Sequence, residues 1–245
     1  MNYIYEREIE VCYTPALFPF YNPENKIVVV VDILRATSAI CSAFENNVKE
    51  IVPIANVEDA FKLKDQGYII AAERNGERVD GADMGNSPFE FLEPSVRGKS
   101  IAFTTTNGTQ AIEIAKQKNI VVIGAFLNHR ILCNWLIHQQ KDILVLCAGW
   151  KGKFNLEDTY FAGALIEYLT SYSNFTTTCD SAMASRSLYL LAKDNLYDFL
   201  SNSSHFERLK KLNKLDDIRY CLSMDKTNVI PVLKDDVIVN ICSSN

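Results

Sequence analysis

Four clusters of polar residues in this sequence combine acids, hydroxyl groups and bases in a way that suits phosphate chemistry. In chain order they are Asp32 with Arg35; Glu73 and Arg74 with Asp83 and Asn86; Thr105, Thr106, Asn107, Gly108 and Thr109; and Gly149, Lys151, Gly152 and Lys153 with Glu157 and Asp158. Carboxylates can hold Mg²⁺, which takes its remaining ligands from water and phosphate oxygens. The clusters therefore predict a site where a divalent cation and local positive charge bind a small phosphorylated anion.

The run Thr106 to Thr109 directly precedes a predicted helix and is the candidate phosphate cradle. Free backbone N–H groups at a helix start point toward a bound anion, and the helix dipole favours negative charge there. A structural alternative is a cap, because Asn107 and Gln110 have the spacing of a capping pair, and Asn-Gly also signals a hairpin turn. A cap and a cradle are compatible, so the sequence keeps both.

Each charged candidate also has a purely structural interpretation. Asp32 could cap the following helix or pair with Arg35, and acids such as Glu157 and Asp158 are common in the first turn of any helix. Arg35 and Arg74 could be solvated ion-pair partners, which add little stability. In the functional interpretation, their planar guanidinium groups match phosphate, carboxylate or sulfonate oxygens.

The histidines and cysteines give weaker signals. His129, His138 and His205 are widely separated in the chain, so we expect no metal cluster and place each on a helix surface. Cys147 begins a segment similar to the Cys-x5-Arg phosphatase loop, but Lys153 stands in the Arg position, which disfavours a cysteine nucleophile. The seven cysteines include no Cys-x-x-Cys pair, and we predict mostly buried free thiols.

The element that must position the first cluster is a predicted strand over Ile27–Val31. Five consecutive β-branched residues are too few for a buried helix and too uniformly apolar for a one-sided strand, so both faces should be covered. Asp32 follows at the carboxyl end, where open α/β sheets place their ligand crevices. A helix is predicted over about 36–45.

Strand and helix patterns alternate along most of the chain. Further strands are predicted over 8–13, 50–54, 68–71, 100–103, 120–123 and 143–147, with helices over about 57–66, up to 116, over 128–139 and from about 157. The last third should be mostly short helices, with a closing strand pair over 229–233 and 237–241. This alternation predicts a three-layer α/β/α fold with a mostly parallel or mixed sheet, whose carboxyl edge carries all four polar clusters.

The two halves of the chain repeat the order of strand, polar loop and helix. We expect one unit over 1–245, or two similar α/β subdomains over 1–124 and 125–245 that share the site. The net charge of −5 argues against a nucleic-acid or anionic-membrane surface. No apolar stretch approaches the roughly 18 residues of a membrane span, and the first residues lack signal-peptide features, so we expect a cytoplasmic protein.

Taken in order, the polar clusters resemble the 2-phosphosulfolactate phosphatase family. The motifs that carry the resemblance are Val-Asp-Ile-Leu-Arg-Ala-Thr-Ser (31–38), Glu-Arg (73–74), Gly-Asn-Ser-Pro (85–88), Thr-Thr-Asn-Gly-Thr (105–109), Phe-Leu-Asn (126–128), Cys-Ala-Gly (147–149), Glu-Asp (157–158) and Ala-Gly (162–163). Each motif is weak singly, but their order and spacing over 26–165 are specific.

The resemblance implies a Mg²⁺-dependent phosphomonoesterase that converts 2-phospho-3-sulfolactate to 3-sulfolactate and phosphate, a step of coenzyme M synthesis in methanogens. It also implies an α/β/α fold unrelated to the haloacid-dehalogenase phosphatases. We expect a small anionic phosphorylated substrate and, because many such enzymes pair, a homodimer. The alternatives are a phosphatase of another small phosphorylated hydroxy acid and a nucleotide- or anion-binding α/β domain without turnover.

Combined with the resemblance, the clusters assign a role to each candidate residue. The predicted Mg²⁺ ligands are Asp32, Glu157 and Asp158; the predicted catalytic residues are Asp32, Arg35 and Glu73, the last as a base or supporting carboxylate; and the predicted substrate-binding residues are Arg74, Thr106, Asn107, Gly108, Thr109, Gly149 and Lys151. The expected chemistry is an in-line displacement with cationic groups stabilising the spreading negative charge. Direct attack by water and a phosphoenzyme both agree with the sequence.

Overall fold

The fold is built on a mixed sheet of eleven strands in the computed structural model, which describes residues 6–116 and 120–242. The strands are β1 (Arg7–Cys12), β2 (Ile27–Val31), β3 (Glu50–Pro53), β4 (Ile69–Arg74), β5 (Glu77–Arg78), β6 (Ser100–Thr104), β7 (Ile120–Gly124), β8 (Ile143–Cys147), β9 (Phe175–Thr176), β10 (Pro231–Lys234) and β11 (Val237–Asn240). The helices are α1 (Ala36–Glu45), α2 (Val57–Phe61), α3 (Pro88–Phe91), α4 (Gly108–Ala115), α5 (His129–His138), α6 (Leu156–Tyr172), α7 (Asp180–Ala192), α8 (Leu196–Leu200), α9 (Ser204–Lys211) and α10 (Leu215–Cys221). The predicted α/β class is confirmed.

The central strand is where the sequence places it. All five residues of β2 are buried, and β2 pairs in parallel with β7 on one side and β8 on the other. Every residue of β8 is buried too, so this part of the sheet is covered on both faces. Full burial of one Val or Ile side chain stabilises a fold by roughly 1.5–3 kcal/mol relative to exposure, which explains the uniformly apolar run.

The sheet contains two groups of parallel strands that run in opposite directions. One group is β7-β2-β8-β1-β9 and the other is β4-β6-β3. The hairpin β10-β11 lies between them and pairs antiparallel with β7 and with β3. In a flat sheet the carboxyl ends of the two groups would lie on opposite edges, so the prediction of one common carboxyl edge is wrong.

The two carboxyl ends nevertheless lie close together. Neighbouring strands rotate by roughly 20–25°, and five steps separate β6 from β2, so their directions turn by about 100–125° from strictly opposite. The helix starts that follow these two strands are in contact, because a Cβ atom built on Gly108 would lie 2.5 Å from the Cβ of Ala36. The polar loops of the two groups therefore face each other across a gap.

The last third of the chain reaches this gap through α9. It consists of the short helices α7 to α10 followed by the hairpin β10-β11, as predicted. Helix α7 packs against α6, and α10 packs against α3 and α9. Among the residues described, none of the helices is long and apolar enough to cross a bilayer.

Candidate active site

A small cavity between the two strand groups is lined by polar residues from both. Asp32, Arg35, Glu73, Asn86, Asn107 and His205 contribute to its walls, with Trp150 and Leu209 as the larger apolar surfaces. The loops after β2, β4 and β6, the loop after β8 and helix α9 thus meet at one place. The predicted convergence of side chains that are far apart in sequence is present.

Asp32 lies directly after β2 in a tight turn into α1. Its backbone N–H donates to Thr37 Oγ1 (3.1 Å), and its carbonyl oxygen accepts from the N–H of Thr37 (3.0 Å). Burial raises the pKa of the Asp32 carboxyl to about 6, and the charges of Glu73 and Glu157 add to this increase, whereas His205 opposes it. Asp32 is a buried acid among other acids, which is a costly arrangement without a cation.

Glu157 and Asp158 begin α6 and are fully buried, unlike the solvated acids of an ordinary first helical turn. The Asp158 carboxylate accepts from the N–H of Ile33 (2.9 Å) and of Gly149 (3.2 Å), so it ties the loops after β2 and β8 together. Burial raises the pKa of Asp158 well above its usual value, and the charges of Asp32 and Glu157 raise it further. Asp158 therefore joins the same acidic cluster as Asp32.

The two carboxylate oxygens of Glu157 differ in their surroundings. Oε1 accepts from Asn155 Nδ2 (3.2 Å) and lies 2.5 Å from Nδ1 of His205, whereas Oε2 is buried with no hydrogen-bond partner in the described chain. Burial favours the neutral carboxyl, but the charge and hydrogen bond of His205 outweigh it and lower the pKa of Glu157. Glu157 is thus held ionised with one free oxygen.

The start of α4 lies against Asp32. A Cβ atom on Gly108 would be only 2.8 Å from Asp32 Oδ2, so glycine is required for this approach. The predicted cap by Asn107 and Gln110 is wrong: Thr105 Oγ1 accepts from the N–H of Thr109 (3.2 Å), and Asn107 makes no side-chain cap. Asn107 Oδ1 instead accepts from the N–H of Lys151 (3.0 Å), which joins the loops after β6 and β8.

The loop after β8 contains residues with positive φ. Gly149 has φ +61°, and a Cβ atom there would lie 2.3 Å from the carbonyl oxygen of Lys153. Lys151 also has positive φ, and its ammonium group lies 5.3 Å from the centre of the Trp150 ring. Lys151 is thus connected to the cavity through its backbone contact with Asn107 and through Trp150.

Glu73 and Thr106 join the loops after β4 and β6. The Glu73 carboxylate accepts from the Thr106 hydroxyl (3.1 Å), from the Thr106 N–H (3.2 Å) and from the N–H of Gly76. Arg74 points elsewhere, because its guanidinium donates to Thr104 Oγ1 (2.9 Å) and to the carbonyl oxygens of Glu73 and Ala55. Glu73 therefore lies in the cavity wall, whereas Arg74 connects neighbouring loops beside the cavity.

Arg35 lies between this cavity and a second one. Its guanidinium is buried, pairs with Asp217 (2.5 Å) and donates to the carbonyl oxygen of Gly76 (2.8 Å), so the alternative in which Arg35 pairs with Asp32 is wrong. The second cavity has a volume of about 210 Å³ and is also lined by the bases Arg78 and Lys214 and by the acids Glu77 and Glu90. Charges of both signs therefore line the side of Arg35 that faces away from Asp32.

Sequence reasoning missed the contribution of α9. His205 was expected on a helix surface but is buried beside Glu157; His129 is buried as well, whereas His138 is exposed as predicted. The signal that could have found His205 is helical spacing, because it shares the buried face of α9 with Phe206 and Leu209.

The acidic cluster fits Mg²⁺ in part. Across the described ranges, no set of three acidic, His or Cys side chains converges tightly enough to form a complete protein-supplied metal site. Mg²⁺ needs only one or two carboxylates when water and phosphate supply the other ligands. Two carboxylates fit this requirement: Glu157, whose Oε2 has no hydrogen-bond partner in the described ranges, and Asp32, whose pKa is raised by burial. Both oxygens of Asp158 already accept from loop amides.

Comparisons with known proteins identify the family of the chain. A family model described as 2-phosphosulpholactate phosphatase matches residues 12–236, a range that includes every loop of the cavity and α9. A probable 2-phosphosulfolactate phosphatase of Caldanaerobacter subterraneus subsp. tengcongensis is 38% identical over 219 residues, which cover 88% of this chain and 90% of the relative. Similarly named relatives from Clostridium novyi (36% identical, 85% of this chain, 89% of the relative) and Symbiobacterium thermophilum (35%, 88% and 94%) also match. The chain therefore belongs to the 2-phosphosulfolactate phosphatase family.

Proposed function

We propose that this protein is a Mg²⁺-dependent phosphomonoesterase that hydrolyses 2-phospho-3-sulfolactate to 3-sulfolactate and phosphate. The observation that carries the proposal is the meeting of the buried acids Asp32, Glu157 and Asp158 with the start of α4 at Gly108. A cation at the acids and a phosphate at the helix start would neutralise each other. The names of the relatives supply the substrate.

The distribution of charge supports a substrate with several anionic groups. The protein has a net charge of −5, yet the cavity next to the acidic cluster is lined by three bases, Arg35, Arg78 and Lys214, against two acids, Glu77 and Glu90. A phosphosulfolactate molecule carries a phosphate, a carboxylate and a sulfonate on a three-carbon skeleton. Its phosphate would lie at the acids and α4, and its other two anionic groups would extend toward the bases of the second cavity.

Each residue of the site would have a distinct role. Asp32 and Glu157 would hold Mg²⁺, which supplies neutralisation of phosphate charge when bound. Backbone amides at the start of α4 would orient the phosphate, and Arg35 would bind the remainder of the substrate. His205 keeps Glu157 ionised and oriented through its Nδ1 contact. Glu73 holds the loops after β4 and β6 in place through Thr106.

The test is phosphate release from a panel of phosphomonoesters, each assayed with Mg²⁺ and with EDTA. We expect fastest release from phosphosulfolactate, loss of activity in EDTA and recovery when Mg²⁺ is restored. Asp32→Asn should abolish turnover with the fold intact, whereas Asp59→Asn, in an exposed ion pair on α2, should not change it. Faster release from another phosphorylated hydroxy acid would reassign the substrate, and binding without release would indicate a ligand sensor.

A further inference from the structure

Helix α9 places a second arginine beside the acidic cluster. The guanidinium carbon of Arg208 lies 3.4 Å from the centre of the Trp150 ring, and Trp150 forms part of the cavity wall. The neighbours of Arg208 on α9, His205 and Leu209, line the same cavity. Stacking on a flat indole fixes the plane of the guanidinium group.

One edge of this guanidinium has no partner among the residues that the structure describes. Both Nε and Nη2 of Arg208 are buried, and neither forms a hydrogen bond with any residue in the described ranges. These two nitrogens lie on the same edge of the guanidinium plane, which is the edge that donates two parallel N–H bonds to one oxyanion. Buried donors without partners are rare in native proteins and call for an explanation such as a missing ligand.

The nearby acids do not supply that partner. Burial lowers the pKa of Arg208, and the charges of Glu157, Glu73 and Asp32 oppose that decrease. An arginine side chain stays protonated in proteins. However, Glu157 Oε1 is engaged by His205, and the Glu73 carboxylate accepts from Thr106 and Gly76. The acids hold the guanidinium nearby without occupying its free edge.

We propose that the Nε–Nη2 edge of Arg208 binds two oxygens of the phosphoryl group that is transferred. This inference rests on the proposed phosphatase function and adds a catalytic residue to it. Arg208 shares its surroundings with Asp32 and Glu157, where the phosphate would lie, rather than with the bases of the second cavity. Charge on the phosphoryl oxygens would be stabilised by a bidentate contact whose donors are already aligned.

Steady-state kinetics of Arg208→Lys and Arg208→Gln test the proposal. A lysine keeps the charge but cannot form the bidentate contact, so kcat should fall at least about 100-fold in both variants, with a smaller change in KM. The matched control is Arg219→Gln on α10, where the arginine also lies over an aromatic ring, that of Tyr197, but its side chain is 61% exposed. A folded Arg208→Lys enzyme with kcat within about threefold of the native value would overturn the proposal.

A binding measurement that needs no turnover gives a second readout. The chain has two tryptophans, so Trp135→Phe leaves Trp150 as the only indole fluorophore. Inorganic phosphate should change Trp150 fluorescence saturably, and Arg208→Lys in this background should weaken phosphate binding at least about tenfold. Methanesulfonate affinity should not change. Loss of methanesulfonate binding alone would mean that Arg208 binds the sulfonate, and the proposal would be wrong.

The two hypotheses fail in different ways. If the native protein releases phosphate from no ester of the panel, the proposed function fails, whatever the fluorescence titration gives. If the native protein turns over but phosphate affinity and kcat are insensitive to Arg208, only the present inference fails. Circular dichroism identifies any unfolded variant, and Arg208→Lys, which retains the stem and charge, then decides the outcome.

Discussion

Substitution of Gly108 by alanine should separate catalytic geometry from stability. The new methyl group would lie 2.5 Å from the Cβ of Ala36 and 2.8 Å from Asp32 Oδ2. Carbon atoms in contact lie about 3.5–4.0 Å apart, so the start of α4 must move by about 1 Å or displace Asp32. Overpacking of this kind costs roughly 1–3 kcal/mol, which the helix preference of alanine over glycine offsets by up to about 1 kcal/mol.

The effect on activity should be larger than the effect on stability. A displacement of about 1 Å between the Asp32 carboxylate and the amides of α4 would lower kcat by about 100-fold. Urea unfolding followed by circular dichroism measures the loss of stability, and phosphate release at saturating Mg²⁺ measures kcat of the folded enzyme.

Gly124→Ala is the matched control. A Cβ atom there would lie 2.8 Å from Val29 and 3.0 Å from the Phe161 ring, both core side chains, so we expect a similar loss of stability. Its kcat should stay within about threefold of the native value because the side chains that the new methyl group would meet, Val29 and Phe161, do not line the cavity. The reasoning is refuted if Gly108→Ala retains native kcat, or if both variants lose activity equally.

Two further predictions concern the buried titratable groups. In EDTA, Asp32→Asn should raise the free energy of unfolding by about 1–3 kcal/mol at pH 8, because burial raises the pKa of Asp32 to about 6 and ionisation above that pH opposes folding. This gain in stability should fade as the pH falls from 6 to 4. Glu73→Gln should instead lower the free energy of unfolding, because the Glu73 carboxylate accepts three hydrogen bonds. Equal effects of the two substitutions in urea unfolding would contradict both expectations. A thiol reagent at pH 8 should label the half-buried Cys179 and Cys242 first and leave activity intact. Cys147 should react slowly because burial raises the pKa of its thiol well above the usual value. Rapid inactivation through Cys147 would restore the cysteine-nucleophile hypothesis.

Local patterns in the sequence identify most strands and the position of Asp32 at a strand end. The run at β2 is recognisable because every side chain is buried, and Asp32 follows it at the strand end. Boundaries are less certain, since the helix predicted over 57–66 is α2 followed by a separate 3-10 turn at Lys64–Gln66. The division into subdomains over 1–124 and 125–245 stays a prediction.

The remaining features depend on contacts that sequence periodicity does not encode. Strand direction is fixed by the hairpin β10-β11, whose partners β3 and β7 are far away in the chain. Arg208 has the sequence context of an ordinary solvated helix residue between Glu207 and Leu209, and only the folded structure places it over Trp150. Thr105 replaces Asn107 as the cap for a similar reason, because Asn107 has a partner in the loop after β8.

The inserted hairpin has a consequence for how an active molecule is made on the ribosome. Domains begin to fold from their N-terminal side during synthesis, but Ile51 acquires its neighbour Ile238 only when nearly all of the described chain has emerged. Until then β3 and β7 present unpaired backbone groups, which can template aggregation, and closing such a long loop slows folding. The nascent protein therefore keeps two unpaired sheet edges, and with them a risk of aggregation, until β10 and β11 dock.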